Sequence, residues 1–218
     1  MNVDKNISSY CLICRFNCDI LNNINVIRQY GYNVVQKCSE MEIEMKKVED
    51  YVRSIKDFPK EGIIFRDITS VIQDSDGLQL AIDGIDNLIG DIDYDVVVGP
   101  ESRGFIFGVP IAYKNHKSFV PVRKKGKLPC ETISEEYALE YGTAEIEIHK
   151  DAIKPGQKVV IVDDLIATGG TTEAIIKLIE RLGGKVEKVV FLIELKGLNG
   201  RDKLKGYDVD AVIKYEGK

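Results

Sequence analysis

No apolar stretch in this chain is long enough to span a bilayer as a helix. Residues Met1 to Asn17 show neither a continuous apolar core nor a small-residue cleavage site, so no secretory leader is expected and a cytoplasmic location is the default. Cysteine is scarce where a disulfide scaffold would need it. Cys11, Cys14, Cys18 and Cys38 lie in the first 40 residues and only Cys130 lies beyond, so no disulfide framework holds the main body. The spacing of Cys11, Cys14 and Cys18 admits a metal only with Cys38 as fourth ligand, and no histidine is near; reduced, unmatched cysteines are the plainer expectation. An excess of positive charge is also missing. The net charge of −5 argues against non-specific binding to nucleic acid or anionic membranes. Two familiar phosphate motifs are absent: Gly126-Lys127 is followed by Leu128 and lacks the upstream glycine of a P-loop, and no G-x-G-x-x-G follows a strand. His116 and His149 stand in polar contexts and receive no role. There are no internal repeats.

What remains is an ordinary globular composition. With 218 residues, 44% hydrophobic and 30% charged, the chain suits one α/β domain able to bury a core. Composition breaks near residue 40, before which seven of the ten asparagines fall without regular periodicity, so residues 1–40 read as an extension and 41–218 as the domain. Met45, Val48, Tyr51, Val52 and Ile55 recur at helical spacing and predict an amphipathic helix. A break at Phe58-Pro59 and a short apolar segment Ile63 to Phe65 follow. Helices are predicted over 76–89, 105–113 and 172–182, and strands over 94–99, 118–122, 158–162 and 186–194. Residues 123–136 carry charge without periodicity and are expected to be a long mobile loop, with Leu128 to Tyr137 as a lid; Ala138 to His149 alternates like one arm of a hairpin. Strands alternating with helices imply a parallel sheet with right-handed crossovers.

The most informative run is Val159 to Thr172. Four β-branched residues form a buried strand, then Asp163 and Asp164 stand side by side, and Ala167, Thr168, Gly169, Gly170 and Thr171 make a small-residue turn into a helix. Small side chains let backbone N–H groups close on a bound group, and a helix N-terminus favours an anion. Two carboxylates repel phosphate but accept hydrogen bonds from vicinal ribose hydroxyls, directly or through a divalent cation. One site then holds a phosphate beside a ribose, which is a 5-phosphoribosyl group. Two other loops follow strand ends: Glu101-Ser102-Arg103-Gly104, whose Arg103 can meet a diphosphate, and the cluster Arg123, Lys124, Lys125 and Lys127, from which some cations suit a leaving diphosphate.

Five blocks carry a resemblance: Asp57 to Thr69, Gly99 to Phe105, Val122 to Pro129, Leu139 to Gly142, and Asp163 to Thr171. In this order they resemble the adenine-using branch of the type I phosphoribosyltransferase family, over about Val48 to Glu216. The resemblance implies a central parallel sheet flanked by helices, with a small hood and a mobile loop. It implies the reaction of adenine with 5-phosphoribosyl 1-diphosphate (PRPP) to give AMP and diphosphate, with Mg2+ bound mainly through PRPP and no metal ligand assigned on the protein. By the same resemblance Ile64, Phe65 and Arg66 contact adenine. Glu140 is the acid/base, with Tyr141 beside it on the closing loop. Arg103, Arg123, Lys124 and Lys127 bind diphosphate. Asp163, Asp164, Ala167, Thr168, Gly169, Gly170 and Thr171 bind PRPP and AMP. A cis peptide at Glu101–Ser102 and a homodimer are further implications, and residues 1–40, without a counterpart, read as loosely attached or disordered. Two rivals remain: a hypoxanthine- or xanthine-using enzyme, distinguished by the segment Phe58 to Thr69, and a PRPP-sensing regulator. The 40-residue leader is too short for a winged-helix domain and not strongly basic, which disfavours the latter.

Overall fold

In a computed structural model of the chain, residues 46–138 and 142–217 are described. Their framework is a seven-stranded sheet in the order β5-β6-β4-β3-β7-β8-β9. The strands are β3 (Val96–Pro100), β4 (Ser118–Lys124), β5 (Thr132–Ala138), β6 (Thr143–His149), β7 (Lys158–Ile166), β8 (Lys185–Leu195) and β9 (Val209–Tyr215). Pairing is parallel from β4 through β3, β7 and β8 to β9, and antiparallel where β6 meets β4 and β5. The parallel strands are apolar at successive positions because both faces are covered. Alternation along each strand then sorts the side chains. Val96, Val98, Val159 and Ile161 point into one core, against Ala174, Ile175, Leu178 and Ile179 of α4 (Gly170–Arg181). Val97, Val160 and Val162 point into the other, against Ala81 and Ile85 of α2 (Ser75–Ile89) and Phe107 and Ile111 of α3 (Arg103–Lys114). Asp74 caps α2 by accepting the N–H groups of Asp76 and Gly77 at 2.9 and 3.0 Å.

A separate two-stranded ribbon pairs β1 (Arg53–Lys56) with β2 (Ile64–Asp67), antiparallel, with Arg53 opposite Asp67 and Lys56 opposite Ile64. A single turn of helix, α1 (Thr69–Ile72), leads from it to α2. The helix expected over residues 45–55 is therefore corrected in its described part: a 3-10 turn spans Val48–Tyr51 and a strand follows. Four apolar residues over so short a span satisfy either period, and cross-strand pairing with β2 decides the outcome. The Ser70 hydroxyl contributes by accepting the Arg53 N–H at 3.0 Å.

The long irregular loop expected over 123–136 is also corrected. Residues 132–138 form β5, which pairs along its length with β6, and β4 continues to Lys124. This pairing was hidden because the strand's polar residues mask its alternation. The turn between β4 and β5 is fastened by Glu147, a residue only 4% exposed, whose carboxylate accepts the N–H groups of Lys127 and Leu128 at 2.9 and 2.8 Å. Burial pushes this carboxyl up, but the amides of Leu128, Gly126 and Lys127 outweigh it and hold the pKa below its ordinary value.

Candidate active site

At the carboxyl ends of β3 and β7 an open cleft is lined by Pro100 to Arg103, Tyr137, and the continuous run Asp163 to Thr172. Its position follows the rule for open α/β sheets. Of the residues singled out in the sequence, the fold brings Asp163, Asp164, Ala167, Thr168, Gly169, Gly170, Thr171 and Arg103 together here. Tyr137 was not anticipated. It arrives because β5 is a strand, and only its alternation with Ile133 hinted at an inward face.

The carboxylates do not terminate β7, as the sequence suggested, but lie within it. Asp163 stands opposite Phe191, and the strand runs on to Ile166 opposite Glu194. Asp164 is 4% exposed. Its Oδ2 lies 2.9 Å from Arg103 Nε in a close ion pair, yet accepts no aligned hydrogen bond. Asp163 Oδ1 accepts the backbone N–H of Asp164 at 2.8 Å. Burial raises the pKa of Asp163 well above the ordinary carboxylate value, and the neighbouring Asp164 charge adds to the rise. Burial raises Asp164 as well, opposed but not cancelled by Arg103.

A stability prediction follows from these directions. An acid whose folded pKa is raised contributes stability that is full below its unfolded value and lost as pH rises through the folded one. Asp163→Asn keeps an acceptor for the Asp164 N–H and removes that loss. The melting temperature of the free protein is expected to exceed that of wild type by a few degrees at about pH 8, at roughly 2–4 °C per kcal/mol. The difference should close below about pH 3, where the wild-type carboxyl is protonated in both states, the unfolded group titrating at about 3.9. Calorimetry across pH checks this; a variant melting below wild type at high pH contradicts it.

Beyond Ile166 the turn reaches Gly169 at φ 76°, in the left-handed region, and α4 starts at Gly170. A Cβ on Gly169 would collide with the Gly200 carbonyl oxygen, so this glycine is required by close backbone approach as well as by its dihedral. The first amides of α4 face the cleft with no side-chain cap, which leaves backbone donors and the helix dipole free for an anion.

The remaining predicted residues lie elsewhere. The peptide between Glu101 and Ser102 is cis. Arg123 does not line the cleft: it forks onto Glu101, with Nε and Nη2 each 3.1 Å from a carboxylate oxygen. That bond holds the Glu101 pKa below its ordinary value. Lys125 pairs with Glu145, while the Lys124 and Lys127 side chains are exposed at the same turn. Ile64, Phe65 and Arg66 sit on β2, outside the cleft. Phe65 meets Phe58 edge to face at 5.3 Å, and the Arg66 guanidinium lies 3.8 Å over the Tyr215 ring while donating to Ser54 Oγ. Glu140 and Tyr141 lie outside the described residues, as does the extension 1–40 with its four cysteines. Among the described residues no cluster of three or more potential metal ligands occurs, and no helix is long and apolar enough to cross a membrane.

Comparison with known proteins accords with this geometry. Residues 72–216 match the family model described as phosphoribosyl transferase domain, and the chain belongs to that family. Its fold is the type I phosphoribosyltransferase fold, and it is a pentosyltransferase enzyme. Within the family it falls among the adenine phosphoribosyltransferases. An adenine phosphoribosyltransferase from Lachnoclostridium phytofermentans is 72% identical over 174 residues, which cover 80% of this chain and 100% of the relative. The crystal structure of adenine phosphoribosyltransferase from Thermoanaerobacter pseudethanolicus aligns with a TM-score of 0.75 at 52% identity, covering 77% of this chain and 98% of that one. The Saccharomyces cerevisiae enzyme, solved with an imino-altritol bisphosphate and adenine, aligns with a TM-score of 0.71 at 38% identity, covering 76% of this chain and 96% of that one.

Proposed function

We propose that the chain transfers the 5-phosphoribosyl group of PRPP to adenine, giving AMP and diphosphate in purine salvage, with its own residues in the following roles. The observation that carries the reading is one cleft in which a carboxylate pair, Asp164 buried and Asp163 partly so, adjoins a small-residue turn at a helix N-terminus. The amides of Thr168 to Thr171 bind the 5′-phosphate. Asp163 and Asp164 accept hydrogen bonds from the ribose hydroxyls; Asp164 Oδ2, buried without an aligned donor, fits that task. Arg103 and the Glu101–Ser102 turn meet the diphosphate from the opposite wall. Arg123, held by Glu101, fixes this wall, and the exposed Lys124 and Lys127 supply further cationic charge. Mg2+ enters as part of the substrate, on the PRPP diphosphate, where it neutralises charge on the leaving group.

Adenine is assigned to the ribbon side, with Ile64, Phe65 and Arg66 presenting backbone and ring. The Arg66 stack on Tyr215 supports this by tying β2 to the end of β9. During transfer the C1′–O bond to diphosphate breaks and a bond from a purine nitrogen to C1′ forms. The purine proton passes to a base, for which Glu140 is the candidate. Positive charge developing at C1′ is tolerated beside the two carboxylates, so positioning and electrostatics supply most of the acceleration.

Initial rates with PRPP, Mg2+ and each of adenine, hypoxanthine, guanine and xanthine test the reading. Adenine is expected to exceed the others in kcat/KM by at least about 100-fold, because a site built to pair with an amino group leaves buried groups unpaired with an oxo base. Preference for hypoxanthine overturns it.

The reading includes a cytoplasmic homodimer. Val109 and Tyr113, 46% and 88% exposed on α3, offer apolar surface for a second copy. Residues 1–40 are dispensable: the family match begins at residue 72, and the Lachnoclostridium relative is covered in full by 174 residues. A chain started at Met41 should keep its activity and melting temperature; a large loss of either, or stoichiometric zinc in the full-length protein, contradicts this.

A further inference from the structure

Strand β8 ends in a buried charge that the reaction does not use. Glu194 is 6% exposed and stands in register with Ile166, the last residue of β7 before the phosphate turn. A carboxylate in that position is costly unless a cation reaches it with good geometry. Arg201 does so as a fork, with Nε 2.6 Å from one oxygen and Nη2 2.7 Å from the other, while Nη1 donates to the Val209 carbonyl. The guanidinium thereby joins the end of β8 to the start of β9.

The residue just before Arg201 is Gly200, which is buried and starts the 3-10 turn Gly200–Leu204. Gly200 is the backbone wall behind the phosphate turn. Its carbonyl occupies the space a Gly169 side chain would need. A Cβ on Gly200 would in turn strike the Ala167 carbonyl and approach Ile166 Cγ1 at 2.8 Å. The two backbones thus approach each other closely on both sides, and the fork lies one residue away from Gly200.

We propose that Glu194 and Arg201 are positioning residues for the phosphate-binding turn: their ion pair fixes Gly200, and Gly200 fixes Ala167 to Gly169 in the conformation that directs amides at the 5′-phosphate. The proposal rests on the reading of that turn as the phosphate site. Neither residue lines the cleft, so the expected effect is on affinity for phosphate-bearing ligands rather than on chemistry.

The test compares wild type with Glu194→Gln and Arg201→Lys, each of which keeps the side-chain size while weakening or breaking the planar fork. Both are expected to raise KM for PRPP and Kd for AMP by about tenfold, the scale of one charge-assisted hydrogen bond. KM for adenine and kcat should stay within about twofold. Gly200→Ala, which leaves the pair intact, should reproduce the same split by displacing Ala167. A merely structural pair would lower the melting temperature and the active fraction, reducing apparent kcat while leaving both KM values unmoved. That pattern in Glu194→Gln, or an unchanged KM for PRPP in Gly200→Ala, overturns the proposal. Failure of wild type itself to bind AMP would instead overturn the phosphate-site reading on which it stands.

Discussion

Asp164→Asn is expected to lower PRPP-dependent turnover by at least about tenfold, the scale of removing one well-placed charged hydrogen bond. The structure sharpens the reason. Asp164 is nearly fully buried, faces Arg103 at 2.9 Å, and lacks an aligned donor on Oδ2. The amide of asparagine keeps the shape but removes the charge that balances Arg103 and the acceptor capacity that a ribose hydroxyl would use. The loss should appear in kcat/KM for PRPP with the melting temperature changed much less. Steady-state kinetics on a variant shown to be folded by circular dichroism checks it, and wild-type turnover contradicts it.

Gly169→Val is expected to abolish measurable AMP binding and also to destabilise the protein. From sequence alone the expectation is a side-chain branch standing where the phosphate must approach. The structure replaces that picture, since the new Cβ would point away from the cleft into the Gly200 carbonyl. The left-handed dihedral adds a cost of about 1–3 kcal/mol for a β-branched residue. The turn must therefore shift, and the amides with it. Calorimetric titration with AMP and a melting curve distinguish the accounts: lost binding with an unchanged melting temperature would support direct obstruction, whereas the structure requires both to fall.

The parts of this molecule that were legible in the sequence are those where one physical demand acts locally. Strand Val159–Val162 must be apolar throughout because both sheet faces are covered, and the small residues from Ala167 to Thr171 mark a backbone approach; both are visible without tertiary knowledge. The same holds for α2, where the apolar spacing marks the helix, although its cap at Asp74 was seen only in the structure. What was not legible depends on distant partners. Val48 to Ile55 carries a helical pattern, yet pairing with Ile64–Asp67 makes its second half a strand. Residues 132–138 look irregular until β6 is placed beside them, and with that strand comes Tyr137 at the cleft. The cation cluster illustrates the same limit from the electrostatic side. Charge was evident at Arg123, Lys124, Lys125 and Lys127, but which of them are engaged was not: Arg123 is committed to Glu101 and Lys125 to Glu145. Glu147 and the Glu194–Arg201 fork went unnoticed because a single charged residue in a strand gives no sign of its partner.

The central claim is that one cleft holds a ribose 5-phosphate between a carboxylate pair and a helix N-terminus. The most direct measurement is a crystal structure of the full chain with AMP. It should place phosphate oxygens within about 2.7–3.2 Å of the backbone nitrogens of the Thr168–Thr171 turn, and ribose hydroxyls at similar distance from Asp163 or Asp164. The base should lie toward Phe65 and Arg66. AMP found with its phosphate on Lys124 and Lys127, leaving the turn and both carboxylates without contact, would contradict the account.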